Sequence, residues 1–255
     1  MNSAHARTVV IAVLMLTALP QAYGQLRRAN DRTWHALRGG LVLGYARSLH
    51  SGDVPMLPTD GNTMFTDGGG SNVTFGVLLE KPLSRFIALG AAISLDPLSA
   101  TFTKRFQEPF RIADSQGTLY DVRREHETEY SLQYVSLRAF AKLYPSGGPG
   151  FFVGGSFGLA ALAKGTYKNS AMLVEPIWAK GSQSATTSGD LPSANELRYT
   201  VGALVGYEIF FNYGFVAPQL QYDFALNAVS SAGWSDNWSV DNLRAVVTVT
   251  FPFPF

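Results

Sequence analysis

Apolar and polar residues alternate along most of the chain after residue 35, and this pattern predicts β-strands. In Glu196–Phe210, for example, Tyr199 and Val201 fall on one parity, whereas Thr200 and Gly202 fall on the other. Because successive side chains of a strand point to opposite faces, such a segment has one apolar face and one polar or glycine-rich face. The pattern predicts eight strands, at residues 37–47, 72–80, 86–94, 129–144, 151–167, 196–210, 215–226 and 241–255.

The gaps between these strands are alternately long and short, which predicts their arrangement. Short links at 81–85, 145–150 and 212–214 alternate with long gaps at 48–71, 96–128, 168–195 and 227–239. Short turns at one end and long loops at the other are typical of membrane barrels, whereas a sandwich has no reason to separate them. We therefore predict an all-β, eight-stranded antiparallel up-and-down transmembrane β-barrel over residues 36–255. Ten strands is the alternative if 96–128 or 168–195 contains a further hairpin, and the first half of 129–144 is irregular enough to predict a bulge.

The beginning of the chain has the pattern of a secretory signal. Arg7 precedes an uncharged, mostly apolar run, Thr8–Leu19, and the small residues Ala22 and Gly24 precede Gln25. The run is too short for a membrane-spanning helix, which needs roughly 20 apolar residues. We predict a signal peptide at 1–24 and a short periplasmic segment at 25–35, before the barrel.

Composition narrows the class of protein. Charged residues are 15% of the chain, aromatic residues 13%, and the net charge is +1, with no cysteine. The low charge favours a membrane protein over a soluble enzyme, and the absence of a basic patch predicts no nucleic-acid partner. Without cysteine there are no disulfides, so an exported fold must be held by its sheet. After residue 24 no long apolar run is present, so a membrane form would have to be a closed barrel.

The more polar parity of the predicted strands would line the lumen. Its polar members are Arg38, Glu80, Arg138, Lys142, Lys164, Arg198, Glu208, Gln219, Gln221, Asp223 and Arg244. One interpretation is a polar path for ions or a small solute. The other is a paired network that fills the interior, because an eight-stranded barrel is narrow and unpaired buried charges are costly. The second interpretation is favoured.

Candidate catalytic and metal-binding groups are few. His50 lies near Ser51 and Asp53, and His126 lies between Glu125 and Glu127, with Thr128 and Ser131 nearby. A serine nucleophile needs an adjacent base, but loops of this polarity supply such sets by chance. The acids of the long gaps are too scattered for a calcium loop, and the glycines at 68–70 precede a strand and not a helix. We expect no enzyme activity, no cofactor and no metal.

Two segments resemble one group of proteins. The tail, with Val249, Phe251, Phe253 and Phe255 at every second position, resembles the closing strand of bacterial outer-membrane barrels. Residues 132–144 are similar to a strand of the OmpX-like, OmpW-like and PorT-like small barrels, where Tyr134 and Lys142 match and Ser136 and Arg138 depart from the pattern. The resemblance implies a Gram-negative outer membrane with its lipids as surroundings. It also implies that the tail is an assembly signal read by the barrel-assembly machinery.

Members of this group share a scaffold more than an activity, so the resemblance does not imply one particular activity. We expect a structural, adhesive or surface-interaction role through long extracellular loops, whose partner the sequence does not identify. The alternatives are a small pore or an outer-membrane lipid-modifying enzyme on the same scaffold, or a soluble exported barrel that binds a ligand inside. The orientation of the two parities separates the last alternative from the others, since a soluble barrel faces its apolar parity inward.

Overall fold

The chain folds almost wholly into β-strands, seen in a computed structural model that describes residues 34–57, 60–105, 110–113, 116–175, 184–191, 194–211, 213–230 and 238–253. The predicted signal peptide, most of the predicted periplasmic segment and Phe255 lie outside these residues. The strands are β1 Arg38–Leu57, β2 Asp60–Pro82, β3 Ile87–Pro97, β4 Ala100–Arg105, β5 Phe110–Ala113, β6 Leu119–Leu143, β7 Phe151–Glu175, β8 Ser184–Asp190, β9 Leu197–Tyr207, β10 Ile209–Phe211, β11 Gly214–Ala225 and β12 Ser239–Pro252. No helix among the described residues is long and apolar enough to cross a membrane.

Eight of these strands form a closed antiparallel ring, as predicted. Its order is β1, β2, β3, β6, β7, β9, β11 and β12, and β12 pairs back with β1. Closure requires strand tilt and a fixed stagger of the register. The stagger can be followed from Arg38 through one paired residue on each strand of the ring, namely Glu80, Gly90, Phe140, Ser156, Gly202, Asp223 and Asn242. Asn242 pairs with Ser48, so the path returns to β1 ten residues after Arg38.

The apolar parity of the ring faces outward. On β1, Leu41 and Leu43 are each 61% exposed, whereas Val42 between them is 9% exposed. The same alternation on the other ring strands gives a continuous apolar belt, which on β1 ends at Arg47. A belt of this kind requires lipid around it, so the ring spans a membrane. The alternative of a soluble barrel, with its apolar parity inward, is wrong.

The strands extend further than the sequence pattern predicted. β6 and β7 have 25 residues each and β2 has 23, whereas about 9–11 residues of a tilted strand cross a bilayer. The long gaps therefore contain paired strand, including β4 between β2 and β6, β5 beside β6, and β8 beside β7. β4 continues β3 in the same register between β2 and β6, β8 lies on the same side of β7 as β9, and β5 pairs with β6. None of them adds a strand to the ring, so the ten-stranded alternative is wrong.

One bulge changes the face of a predicted lumen residue. Tyr134 pairs with Leu162, but the preceding Gln133 pairs with Lys164, so Ala163 is an extra residue in β7. The extra residue reverses the parity of the rest of β7. The prediction that Lys164 faces the lumen is therefore wrong: its side chain is exposed. A bulge was predicted in the first half of 129–144, which lies in β6. The pairing of β6 with β7 is irregular there, but the extra residue belongs to β7.

Candidate functional site: the polar lumen and the outer sheet

The lumen near the short turns holds four charged side chains, which we call the inner ion-pair cluster: Arg38, Glu80, Lys142 and Glu208. Arg38 Nη1 lies 2.8 Å from Glu208 Oε1 and 3.6 Å from Glu80 Oε1. Lys142 Nζ is paired with Glu80 Oε2. Two cations and two carboxylates give no net charge, and all four residues are at most 2% exposed. The cluster is therefore a compensated group of buried charges.

Aromatic rings hold the inner ion-pair cluster in place. The Arg38 guanidinium lies 3.6 Å from the centre of the Phe215 ring and 4.4 Å from that of Trp34. Tyr144 donates a hydrogen bond to Glu208 Oε2 over 3.0 Å. Lys142 Nζ lies 4.8 Å from the centre of the Phe152 ring. Cation–π contacts of this kind stabilise desolvated cations, so the rings both fill the barrel and support its charges.

A second group lies closer to the long loops, and we call it the outer ion-pair cluster: Asp96, Arg138, Asp223 and Arg244. Arg244 Nη1 lies 2.8 Å from Asp96 Oδ1, and its Nε lies 2.9 Å from Asp223 Oδ2. Arg138 Nη2 is further from both carboxylates, at 3.3 Å from Asp223 Oδ2 and 3.6 Å from Asp96 Oδ2. Gln221 donates to Asp223 Oδ1 over 2.7 Å, and Thr74 donates to Asp96. Gln219, also predicted here, lies between the two clusters with its side chain partly buried.

Asp96 is the lumen residue that the sequence pattern missed. It was assigned to the charge-rich gap 96–128, but β3 continues to Pro97 and its interior parity passes through Ser94 to Asp96. The period-two pattern of residues 88–96 carried this signal. Arg198, which was predicted to face the lumen, is 4% exposed and donates to the Val240 carbonyl oxygen. Among the described residues no carboxylate lies within ion-pair distance of Arg198.

An aromatic cap closes the lumen beyond the belt, and it consists of Phe65, Phe102, Tyr130 and Trp238 packed around His50. Tyr130 and Trp238 lie 5.0 Å apart between ring centres, and Phe102 lies 5.4 Å from His50. Trp238 Nε1 donates to His50 Nδ1 over 3.1 Å. Burial lowers the pKa of His50 from its ordinary 6.5 to about 3, and the charge of Arg198 acts in the same direction. His50 is therefore neutral and part of the cap.

In each candidate catalytic set the histidine and the serine lie on opposite faces of one strand. His50 faces inward, whereas Ser51 is exposed and its Oγ lies 2.8 Å from Ser239 Oγ. His126 and Ser131 lie on opposite faces of β6, because an odd number of residues separates them. The described residues also contain no group of three or more His, Asp or Glu side chains arranged for a metal ion.

In the part of the chain that the structure describes, the sheet beyond the belt has β8 at its edge. Among the described residues, β8 pairs only with β7, through Thr166 to Met172. All six residues from Ala185 to Asp190 are exposed. A polar groove with a volume of about 420 Å³ lies across β6, β7 and β8, lined by Glu129, Tyr167, Lys168 and Asp190 among others. An edge strand presents unpaired backbone donors and acceptors, so β8 can accept another strand.

The predicted assembly signal lies on the outside of the closing strand. Val249 pairs with Leu41, and Phe251 pairs with Gly39. Strand β12 ends at Pro252, which has no backbone donor. One further backbone hydrogen bond follows, from the Phe253 amide to the Leu37 carbonyl oxygen over 2.8 Å. Phe251 and Phe253 are 45% and 41% exposed, so they extend the apolar belt toward the short-turn end.

No family model and no curated protein matches the sequence. Solved structures that are similar include the attachment invasion locus protein Ail of Yersinia pestis, with 13% identity, a TM-score of 0.34, and coverage of 84% of this chain and 98% of that chain. Neisserial surface protein A has 10% identity, a TM-score of 0.37 and coverage of 84% and 97%. The Escherichia coli outer membrane protease OmpT has 11% identity, a TM-score of 0.31 and coverage of 87% and 98%. By its closed ring, outward apolar belt and charged interior, this chain is an outer-membrane β-barrel.

Proposed function

We propose that this barrel is a surface-interaction protein that acts through the sheet beyond the membrane and not through its lumen. The observation that carries the proposal is that β8 pairs only with β7 among the described residues and has six consecutive exposed residues, on a sheet that β6 and β7 extend beyond the belt. A free edge recognises an extended segment of another protein by main-chain hydrogen bonds. The partner is therefore an extracellular protein with an accessible extended segment.

The filled lumen supports this proposal over a pore. Two ion-pair clusters and an aromatic cap follow one another along the barrel, and the cap includes Tyr130 and Trp238, each 0% exposed. Interior side chains fill eight-stranded barrels, whereas barrels of 16 or more strands leave an aqueous channel. The outer strands, by contrast, have no role in spanning the membrane. We also propose that the chain belongs with the OmpX-, OmpW- and PorT-like barrels, on the match of Tyr134 and Lys142.

Proline substitutions in β8 test the proposal. The backbone donors of neighbouring strand residues point to opposite sides, so Thr187→Pro and Ser188→Pro remove donors from different sides of β8. One variant breaks the pairing with β7, and the other affects only the free edge. Bacteria that display each variant would be tested for adhesion to immobilised fibronectin, laminin and serum proteins. Folded protein would be quantified by its gel mobility without heating.

The proposal predicts that the wild-type barrel adheres above an empty-vector strain and that both proline variants lose adhesion while the barrel stays folded. Tyr213→Ala is the matched control, because Tyr213 is 77% exposed in a short turn at the opposite end of the barrel. This variant should adhere like the wild type. Adhesion that survives both proline substitutions would overturn the assignment of the edge, and no adhesion by folded wild-type protein to any of these surfaces would overturn the proposed function.

A further inference from the structure

A small cavity lies inside the barrel between the two ion-pair clusters. Its volume is about 30 Å³, and its polar lining comes from Arg138, Lys142, Gln219, Gln221 and Thr248. The remaining walls are apolar and include Phe140. A water molecule needs about 10–15 Å³ on this measure, so the cavity accommodates one or two waters or one small ion, and no organic ligand.

The electrostatics of this cavity favour an anion. Two cations, Arg138 and Lys142, line it, and no carboxylate does. The carboxylates that pair with these cations belong to the clusters on either side. A cation in the same position would meet two like charges in a medium of low dielectric constant, whereas an anion would be attracted by both.

The charge balance of the whole interior points the same way. Among the described residues, the buried charged side chains are the five cations Arg38, Arg138, Lys142, Arg198 and Arg244 and the four carboxylates Glu80, Asp96, Glu208 and Asp223. The neutral His50 adds nothing to this sum. The interior therefore carries one net positive charge, and an uncompensated buried charge is costly. One monovalent anion would neutralise it.

Arg138 is the arginine best placed to bind this anion. The outer ion-pair cluster and Arg198 together supply three arginines for two aspartates. Arg244 takes the short contacts, at 2.8 and 2.9 Å, and Arg138 is left with 3.3 and 3.6 Å. Arg138 is 7% exposed, and its Nε makes no hydrogen bond to the protein. The Nε atoms of Arg38, Arg198 and Arg244 likewise make no hydrogen bond, so Arg138 is distinguished by lining the cavity and by its longer carboxylate contacts.

We propose that the cavity between the two ion-pair clusters is a binding site for a small monovalent anion of the halide class, held by Arg138 and Lys142. The anion completes the charge balance of the lumen and is a structural part of the folded barrel. Larger oxyanions and organic anions are excluded by volume.

Bromide tests this site directly. The refolded barrel would be crystallised from sodium bromide, and anomalous scattering would be measured at the bromine edge. The expected result is an anomalous peak between Arg138 and Lys142. A peak without anomalous signal at this position would show ordered water, and that outcome overturns the proposal.

A solution measurement gives an independent readout. The urea midpoint of the refolded barrel would be compared in sodium chloride and in sodium gluconate at equal ionic strength, because gluconate is too large for the cavity. Ala92→Val fills part of the cavity without removing a charge, and Ala160→Val is its control, since Ala160 is buried elsewhere in the lumen. Wild type and Ala160→Val should have higher midpoints in chloride, and Ala92→Val should show no difference. Equal midpoints in both salts for the wild type would overturn the proposal, and if Ala92→Val does not fold, the bromide crystal still decides.

Discussion

Removing Lys142 should destabilise the barrel more than any change at an exposed lysine. Lys142 is 2% exposed and pairs with Glu80, while Arg38 pairs more closely with Glu208 than with Glu80. Lys142→Met keeps a chain of similar length against the Phe152 ring but leaves the inner ion-pair cluster with one negative charge in excess. Breaking a buried pair in this way costs about 3–5 kcal/mol of the free energy of unfolding.

Restoring neutrality should recover most of this loss. Adding Glu80→Gln to Lys142→Met leaves the Arg38–Glu208 pair, at 2.8 Å, as a balanced remnant. Since replacing both partners of a buried pair is often close to neutral, we expect the double variant to be more stable than Lys142→Met by about 2–4 kcal/mol.

Urea unfolding of the refolded protein in lipid vesicles, followed by tryptophan fluorescence, measures these free energies. Lys168→Met is the matched control, because Lys168 is an exposed residue of β7 beyond the belt and its removal should leave the midpoint unchanged. The reasoning is refuted if Lys142→Met costs less than about 1 kcal/mol, or if the costs of Lys142→Met and Glu80→Gln simply add.

Three further predictions concern the belt, the cap and the tail. Val201→Arg, at the middle of β9, should lower the free energy of unfolding in lipid vesicles by about 2–4 kcal/mol, whereas Leu197→Arg, at the outer end of β9, should lower it by about 0–1 kcal/mol. Equal costs would contradict the placement of the apolar belt in the bilayer. Because the pKa of His50 is lower in the folded state than in the unfolded state, stability is complete above pH 6.5 and is lost as the pH falls toward 3. Between pH 8 and pH 5 the free energy of unfolding should fall by about 2 kcal/mol more in the wild type than in His50→Gln. An equal fall in both proteins would mean that folding does not lower the pKa of His50. Deleting Phe255 should lower the inserted fraction in cells while leaving refolding in detergent intact; equal loss in both would make Phe255 a stability element.

The membrane part of the fold could be predicted because lipid imposes a strict pattern. On β9, Tyr199 and Val201 face lipid while Thr200 and Gly202 face the lumen, and the residue types in the sequence alternate in the same way. Gly202 is required there, since a Cβ would come within 2.5 Å of Asp223 Oδ1 and 2.6 Å of Ser156 Oγ. Apolar-out, polar-in alternation therefore fixed both the strands and their faces.

The parts that the sequence did not reveal lie beyond the lipid or depend on pairing. In the outer half of β6 the polar side chains face water and the apolar ones face the aromatic cap, with Glu129 exposed and Tyr130 and Leu132 buried. The apolar-out, polar-in pattern of the belt is therefore reversed there and did not identify this part of the strand. The face of Lys164 depended on the extra residue at Ala163, which is a property of the register between two strands. The pairing of Asp96 with Arg244 joins residues 148 positions apart and could not be read from either segment alone.

We propose that this barrel acts through the sheet beyond the belt while its lumen is closed. Current through planar lipid bilayers that contain the purified, refolded protein tests it most directly, with a large porin as positive control. The account predicts that folded, inserted protein produces no single-channel steps in potassium chloride, because the aromatic cap and both ion-pair clusters block the lumen. Reproducible steps of defined conductance from the folded protein would contradict it.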